Sequence, residues 1–130
     1  MLIWSDLHYF KAAEFDSPGV LHSGLKMNLA FVAKLDKIRE ACKVPLQITS
    51  GYRTPEHNAA IPDSVDGSAH TTGHAADIAA PSSALKFAIL EAALRLGFTR
   101  IGIGANFIHL DDDPVKPQNV VWTYPGRREA

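Results

Sequence analysis

Cysteine is nearly absent from this chain: Cys42 is the only one in 130 residues. A lone cysteine excludes an intramolecular disulfide and leaves no thiolate set to hold a zinc cluster. Cys42 falls at helical spacing with Leu35 and Ile38 and reads as a small buried hydrophobe. An excess of one charge is missing too. The formal net charge is -1, and the only local basic pair, Arg127-Arg128, is followed at once by Glu129. Phosphate binding needs a clustered basic surface, so nucleic acid is not an expected partner. Long apolar runs are also lacking. Met1-Leu2-Ile3-Trp4 meets Asp6 immediately, so neither a signal peptide nor a membrane span is expected. No repeat, low-complexity tract or linker interrupts the sequence. With 46% hydrophobic residues, the chain can build one core, and a single domain over residues 1–130 is expected, acting as a monomer.

What the chain does contain is a concentration of metal-binding side chains. They lie in Ser68-Ala69-His70-Thr71-Thr72-Gly73-His74-Ala75-Ala76-Asp77 and in Phe107-Ile108-His109-Leu110-Asp111. A catalytic zinc takes three ligands of imidazole nitrogen and carboxylate oxygen and leaves a fourth position for water. His70, Asp77 and His109 fit that count. Their spacing is not helical, because Gly73 would break a helix. The pattern predicts a histidine on an irregular segment, a tight turn, and a short strand from Ala75 to Ala79 with Ala75, Asp77 and Ala79 on one face. In Phe107 to Asp111, the same period of two sets Phe107, His109 and Asp111 against one cavity while Ile108 and Leu110 point away. Upstream, Ile101-Gly102-Ile103-Gly104 reads as a partner strand that turns through Ala105-Asn106, its glycines placing no side chain in the space opposite. Taken singly, His109 would be a satisfied core histidine and Asp77 a turn or capping carboxylate; the combination points to a metal.

The remaining segments read as scaffold. Asn28 is an N-cap for an amphipathic helix through Phe31, Val32, Leu35, Ile38 and Cys42 that ends before Pro45. Leu46 to Ser50 reads as a strand. Thr54-Pro55 opens a short helix to Ala60, which leaves Arg53 at a strand-to-helix junction. Ile61 to Gly67 is a polar loop suited to the rim of a cleft. A second long helix starts at Ser82 or Ser83 and stops at Gly97. Val120 to Trp122 adds a last short strand. The expected fold class is α+β, with helices packed on a small antiparallel sheet that carries the zinc site. Asp112 and Asp113-Pro114 read as turn chemistry, His74 as exposed, and His8 and His22 carry no pattern. Tyr52 either lines the site or packs in the core.

The Ser-x-His-x-x-Gly-x-Ala-x-Asp motif from Ser68 to Asp77, with a later strand-borne histidine, resembles the M15 zinc peptidases, the D-Ala-D-Ala carboxypeptidase and dipeptidase group. Ser50-Gly51-Tyr52-Arg53-Thr54-Pro55-Glu56-His57-Asn58, Gly102-Ile103-Gly104 and Phe107-Ile108-His109-Leu110-Asp111 resemble its short, often phage-encoded branch of peptidoglycan peptidases. Tyr9-Phe10 with Glu14-Phe15-Asp16-Ser17-Pro18 resembles the opening of that branch. The resemblance implies the D-Ala-D-Ala peptidase (hedgehog-like) fold, Zn2+ at His70, Asp77 and His109, and Arg53 in the substrate cleft, holding a carboxylate or carbonyl of a cell-wall stem peptide. With no export signal, it also implies release by lysis or carriage in a phage particle.

One departure bears on mechanism. Better-known members carry an acidic general base three residues before the last zinc histidine, and here that residue is Asn106. Asp111, beside His109 on the same strand face, is the expected substitute, taking a proton from a zinc-activated water and passing it to the leaving amine. An orienting or loop-capping role is the alternative for that carboxylate. His57, four residues after Arg53, is expected to reach the cleft and assist the oxyanion, or else to face solvent. The expected activity is zinc-dependent hydrolysis of a peptidoglycan stem peptide, by a carboxypeptidase or an endopeptidase. A catalytically inactive zinc module that binds the wall or a partner is the alternative from another class.

Overall fold

Residues 1–62 and 64–124 are described by the computed structural model of the chain; Arg127-Arg128 lies outside the described residues. Three α-helices and five strands occur in the order α1 (Leu29–Cys42), β1 (Ile48–Ser50), α2 (Pro55–Ala60), β2 (Ala75–Ala79), α3 (Ser83–Arg95), β3 (Arg100–Ile103), β4 (Phe107–Asp111) and β5 (Val120–Thr123). Local chemistry sets the helix starts. Asn28, Thr54 and Ser82 each accept a hydrogen bond from a backbone N–H in the first turn of α1, α2 and α3, satisfying donors that have no partner within the helix. Lys43 at φ 60° ends α1, and Gly97 at φ 89° follows α3.

The strands form one sheet in the order β1-β2-β4-β3-β5. Neighbours are antiparallel except for β3 and β5, which run parallel. The sheet is thus mixed where a purely antiparallel one was expected. The connection after β4 explains the difference. β4 ends with Asp111 beside the start of β3, and the following segment crosses that end of the sheet, held by Arg100 Nη1 donating to the Pro117 carbonyl at 2.6 Å and Thr99 Oγ1 donating to Gln118 Oε1 at 2.6 Å. The chain therefore enters β5 at the end where β3 begins.

The alternation along the strands divides the sheet into two faces. Ala76 and Ile78 of β2, Ile108 and Leu110 of β4, and Ile101 of β3 pack with Phe31, Val32, Leu35 and Ile38 of α1 and with Ile89, Ala92 and Ala93 of α3. Ile78, Ile108 and Leu110 are fully buried, and each contributes roughly 1.5–3 kcal/mol of transfer free energy. Tyr52 is buried in this core, as is Phe98, which meets Phe31 edge to face at 6.0 Å. The opposite face carries Asp77, His109, Asp111, Arg100 and Gly102 and is left open as a cleft.

Ahead of α1, the chain forms three short 3-10 turns, Trp4–Asp6, Ala12–Phe15 and Ser23–Lys26. Buried Asp36 on α1 fixes this segment by accepting from the backbone N–H groups of His8 at 2.7 Å and Tyr9 at 3.0 Å. Phe15 is fully buried against Gly51, where any Cβ would collide with its ring. No helix among the described residues is long and apolar enough to cross a membrane.

Candidate metal centre

His70 stands on a 3-10 turn, Ala69–Thr72, opened by Ser68, whose side chain accepts from His70 N–H. Gly73 closes that turn at φ 78°, a conformation that side chains disfavour. Its missing side chain also lets the backbone of Lys26 approach, because a Cβ there would strike the Lys26 carbonyl. The chain then enters β2, where Asp77 lies directly across from His109 of β4. His70, Asp77 and His109 are thereby brought together, with one donor atom from each within 4.8 Å of the others.

Hydrogen bonds select which atoms face inward. His70 Nδ1 donates to the Gly51 carbonyl at 2.8 Å, so its Nε2 carries the lone pair, 3.5 Å from Asp77 Oδ1. His109 Nε2 meets Asp111 Oδ2 at 2.7 Å, and its Nδ1 meets Asp77 Oδ1 at 2.9 Å. Each imidazole is thus held at its outer nitrogen by an oxygen and presents its inner nitrogen to one point. That is how metal-ligating histidines are usually fixed, and two nitrogens with one carboxylate oxygen suit a divalent ion such as zinc.

The electrostatics follow from burial and pairing. Burial lowers the His70 pKa, keeping that imidazole neutral. Burial also opposes charge on His109, but hydrogen bonds to Asp111 and Asp77 outweigh it and raise its pKa. Burial opposes charge on Asp77, but its hydrogen bond with His109 and the nearby His70 outweigh it and hold the carboxyl well below the usual carboxylate range. The same competition, won by His109 and Arg100, lowers Asp111.

For Asp111, expected to act as general base or as an orienting or capping carboxylate, the contacts favour the orienting part. It is 1% exposed, its Oδ1 accepts from Arg100 Nε at 2.6 Å and from Asp113 N–H at 3.2 Å, and its Oδ2 faces His109. A carboxylate so well satisfied is a poor base and a good anchor for His109. Arg100, not singled out by the sequence, supplies the compensating charge from the start of β3. Its signal was available: a turn at Ala105-Asn106 pairs Ile101 with Leu110 and Gly102 with His109, which carries Arg100 to Asp111.

These groups floor a cleft of about 920 Å³ whose rim includes Ile61, Pro62, Ser64 and Val65 on one side and Lys116, Pro117 and Trp122 on the other. Arg53 lines it, with Nε donating to Ser50 Oγ at 3.2 Å, Nη1 to Asn58 Oδ1 at 3.1 Å, and Nη2 lying 3.7 Å from Asp77 Oδ2. Asn106 lines it as well. His57, expected to reach the cleft or else to face solvent, is not among the residues that line it. On α2 it is the next residue, Asn58, that reaches Arg53. His74, expected to be exposed, is half-buried, and its Nδ1 lies 2.7 Å from Asp112 Oδ1, while Lys34 meets the other oxygen at 3.0 Å. Asp113 does serve the turn, accepting from Val115 N–H at 3.1 Å.

A three-donor nitrogen and oxygen cluster in an open cleft is a set of groups that could hold a metal ion. The family model described as Peptidase M15 matches residues 8–111, and the chain belongs to that family of peptidases, whose members are generally zinc-dependent. The matched stretch contains His70, Asp77, His109, Asp111 and Arg53. No curated protein matches the chain.

Proposed function

We propose that this protein is a zinc-dependent peptidase that cleaves a peptide bond in peptidoglycan stem peptides, as a D,D-carboxypeptidase or an endopeptidase. The observation that supports this most directly is the convergence of His70 Nε2, Asp77 Oδ1 and His109 Nδ1 beneath an open cleft of about 920 Å³. When bound, zinc supplies Lewis-acid polarisation of a carbonyl and of a water molecule. The protein's own groups then do the positioning. Gly51 and Asp111 orient the two imidazoles, and Arg100 keeps Asp111 ionised. Arg53, with two of its nitrogens fixed by Ser50 and Asn58, turns its remaining edge toward Asp77 and the cleft, where it holds a substrate carbonyl or carboxylate. Resemblance to the short phage-type branch supports delivery to the wall by lysis or in a phage particle.

Mass spectrometry of purified muropeptides incubated with zinc-loaded and chelator-treated protein tests this. Zinc-dependent loss of a terminal D-Ala, or a cut within the stem, is the expected result, and the mass difference identifies the bond. Asn106 at the position of the usual acid, together with the fully engaged Asp111, favours the second reading, a zinc-holding wall-binding module. That reading prevails if stoichiometric zinc is bound, muropeptides are retained and none is cut.

A further inference from the structure

The last described residues bring a further polar group to the cleft. Val120 and Trp122 lie on the cleft face of β5, and Tyr124, two residues on, continues that face. Trp122 pairs with Gly102, and Gly102 pairs with His109. A Cβ at Gly102 would sit 2.7 Å from both Trp122 Nε1 and the Tyr124 phenol oxygen. The absent side chain is therefore the seat in which these two polar atoms meet, one residue across the sheet from a metal-binding histidine. The rings are fixed from the sides: Tyr124 packs on Phe107 at 5.0 Å, Trp122 on His109 at 5.4 Å, and the Arg100 guanidinium lies 5.1 Å over the Trp122 ring.

The indole N–H of Trp122 can only donate, and it shares the space over Gly102 with the phenol oxygen. Tyr124 lines the cleft, and its hydroxyl is free to turn as a donor toward a group bound there. In the metal-free protein, burial, with the nearby negative charges of Asp77 and Asp111, raises the Tyr124 pKa to about 12. Arg53 approaches Asp77 from the β1 side of the sheet, whereas Tyr124 overhangs Gly102 from the β5 side.

Resting on the peptidase reading above, we infer that Tyr124 donates a hydrogen bond to the carbonyl oxygen of the scissile bond as negative charge develops on it, across the site from Arg53. In the step concerned, a water oxygen bonds to the carbonyl carbon and the carbonyl π pair moves onto its oxygen. The C–N bond then breaks and the leaving nitrogen takes a proton that came from the water. The phenol shares its proton throughout and does not transfer it. Loss of one such donor typically lowers kcat by about 10²–10³-fold.

The variant Tyr124→Phe keeps the ring on Phe107 and removes only the hydroxyl. With zinc content unchanged, kcat for muropeptide cleavage is expected to fall on the order of 10²-fold at nearly constant KM. A second readout is independent of turnover. Calorimetric binding of a phosphinate isostere of the scissile dipeptide, a tetrahedral anion, is expected to weaken at least tenfold in the variant. Binding of the uncleavable N-methylated peptide is expected to stay the same. If the parent cleaves muropeptides and binds the phosphinate while Tyr124→Phe matches it in both, the role of Tyr124 is overturned and the peptidase reading stands. A parent that neither cleaves nor binds the phosphinate overturns both.

Discussion

His109 is the residue on which the site turns, because carboxylates hold it at both nitrogens: Asp77 at the inner one and Asp111 at the outer one. Asp111 in turn depends on Arg100. Two roles for Asp111 give different outcomes for Asp111→Asn. A lost base would abolish turnover and leave zinc affinity intact. A lost orienting partner weakens zinc binding by about 10–100-fold, and that is the result expected from competition against a calibrated chelator. At this scale the sequence was legible wherever a residue type is rare and costly to bury. His70, Asp77 and His109 were drawn from their motif and Arg53 from the family resemblance of its segment, and the fold brings all four to one cleft. His57 could not be judged, because whether a side chain on a six-residue helix turns toward a cleft depends on how that helix is docked. His74 was misread for a related reason: its partner Asp112 is distant in sequence and arrives only through the pairing of β2 with β4.

Among the elements, the long helices were the most readable, since Asn28 and Ser82 cap α1 and α3 and an apolar stripe runs along each. The 3-10 turns are single turns too short for an apolar stripe, and their local caps, Asp6 on Ile3 N–H and Glu14 on Lys11 N–H, are a weaker signal. The direction of β5 was hidden as well, because it depends on where the preceding loop crosses the sheet. One short turn matters more to the site than its length suggests. Ala69–Thr72 carries His70 and ends at Gly73, whose carbonyl accepts from Asn28 N–H at 2.9 Å and so ties the turn to the start of α1. Gly73→Ala combines a left-handed backbone cost of roughly 1–2 kcal/mol with a collision at the Lys26 carbonyl. Urea unfolding is expected to show a loss of at least that size, with weaker zinc binding because His70 is displaced. A variant as stable as the parent would remove this turn from the account of the site.

At the scale of the whole molecule, the buried titratable groups give the metal-free protein a defined pH response. His109 has a raised pKa in the folded state, so its contribution is complete below the ordinary histidine value of about 6.5 and is lost as pH rises through the folded value. His70 has a lowered pKa: below about 6.5 the unfolded chain takes up a proton that the folded one refuses, and stability falls. The lowered Asp77 and Asp111 contribute above the ordinary carboxylate value of about 4 and lose that contribution at lower pH. Thermal unfolding in chelator is therefore expected to be most resistant near pH 6–7, and a midpoint that climbs steadily to pH 9 would contradict the charged state of His109. The two sheet faces have a consequence beyond chemistry. The register that sends Ile78, Ile108 and Leu110 into the core sends Asp77 and His109 to the cleft, and a slip of one residue would exchange the two faces. The packing that holds Ile78 and Ile108 in the core thereby also fixes how far apart Asp77 and His109 stand on the cleft face.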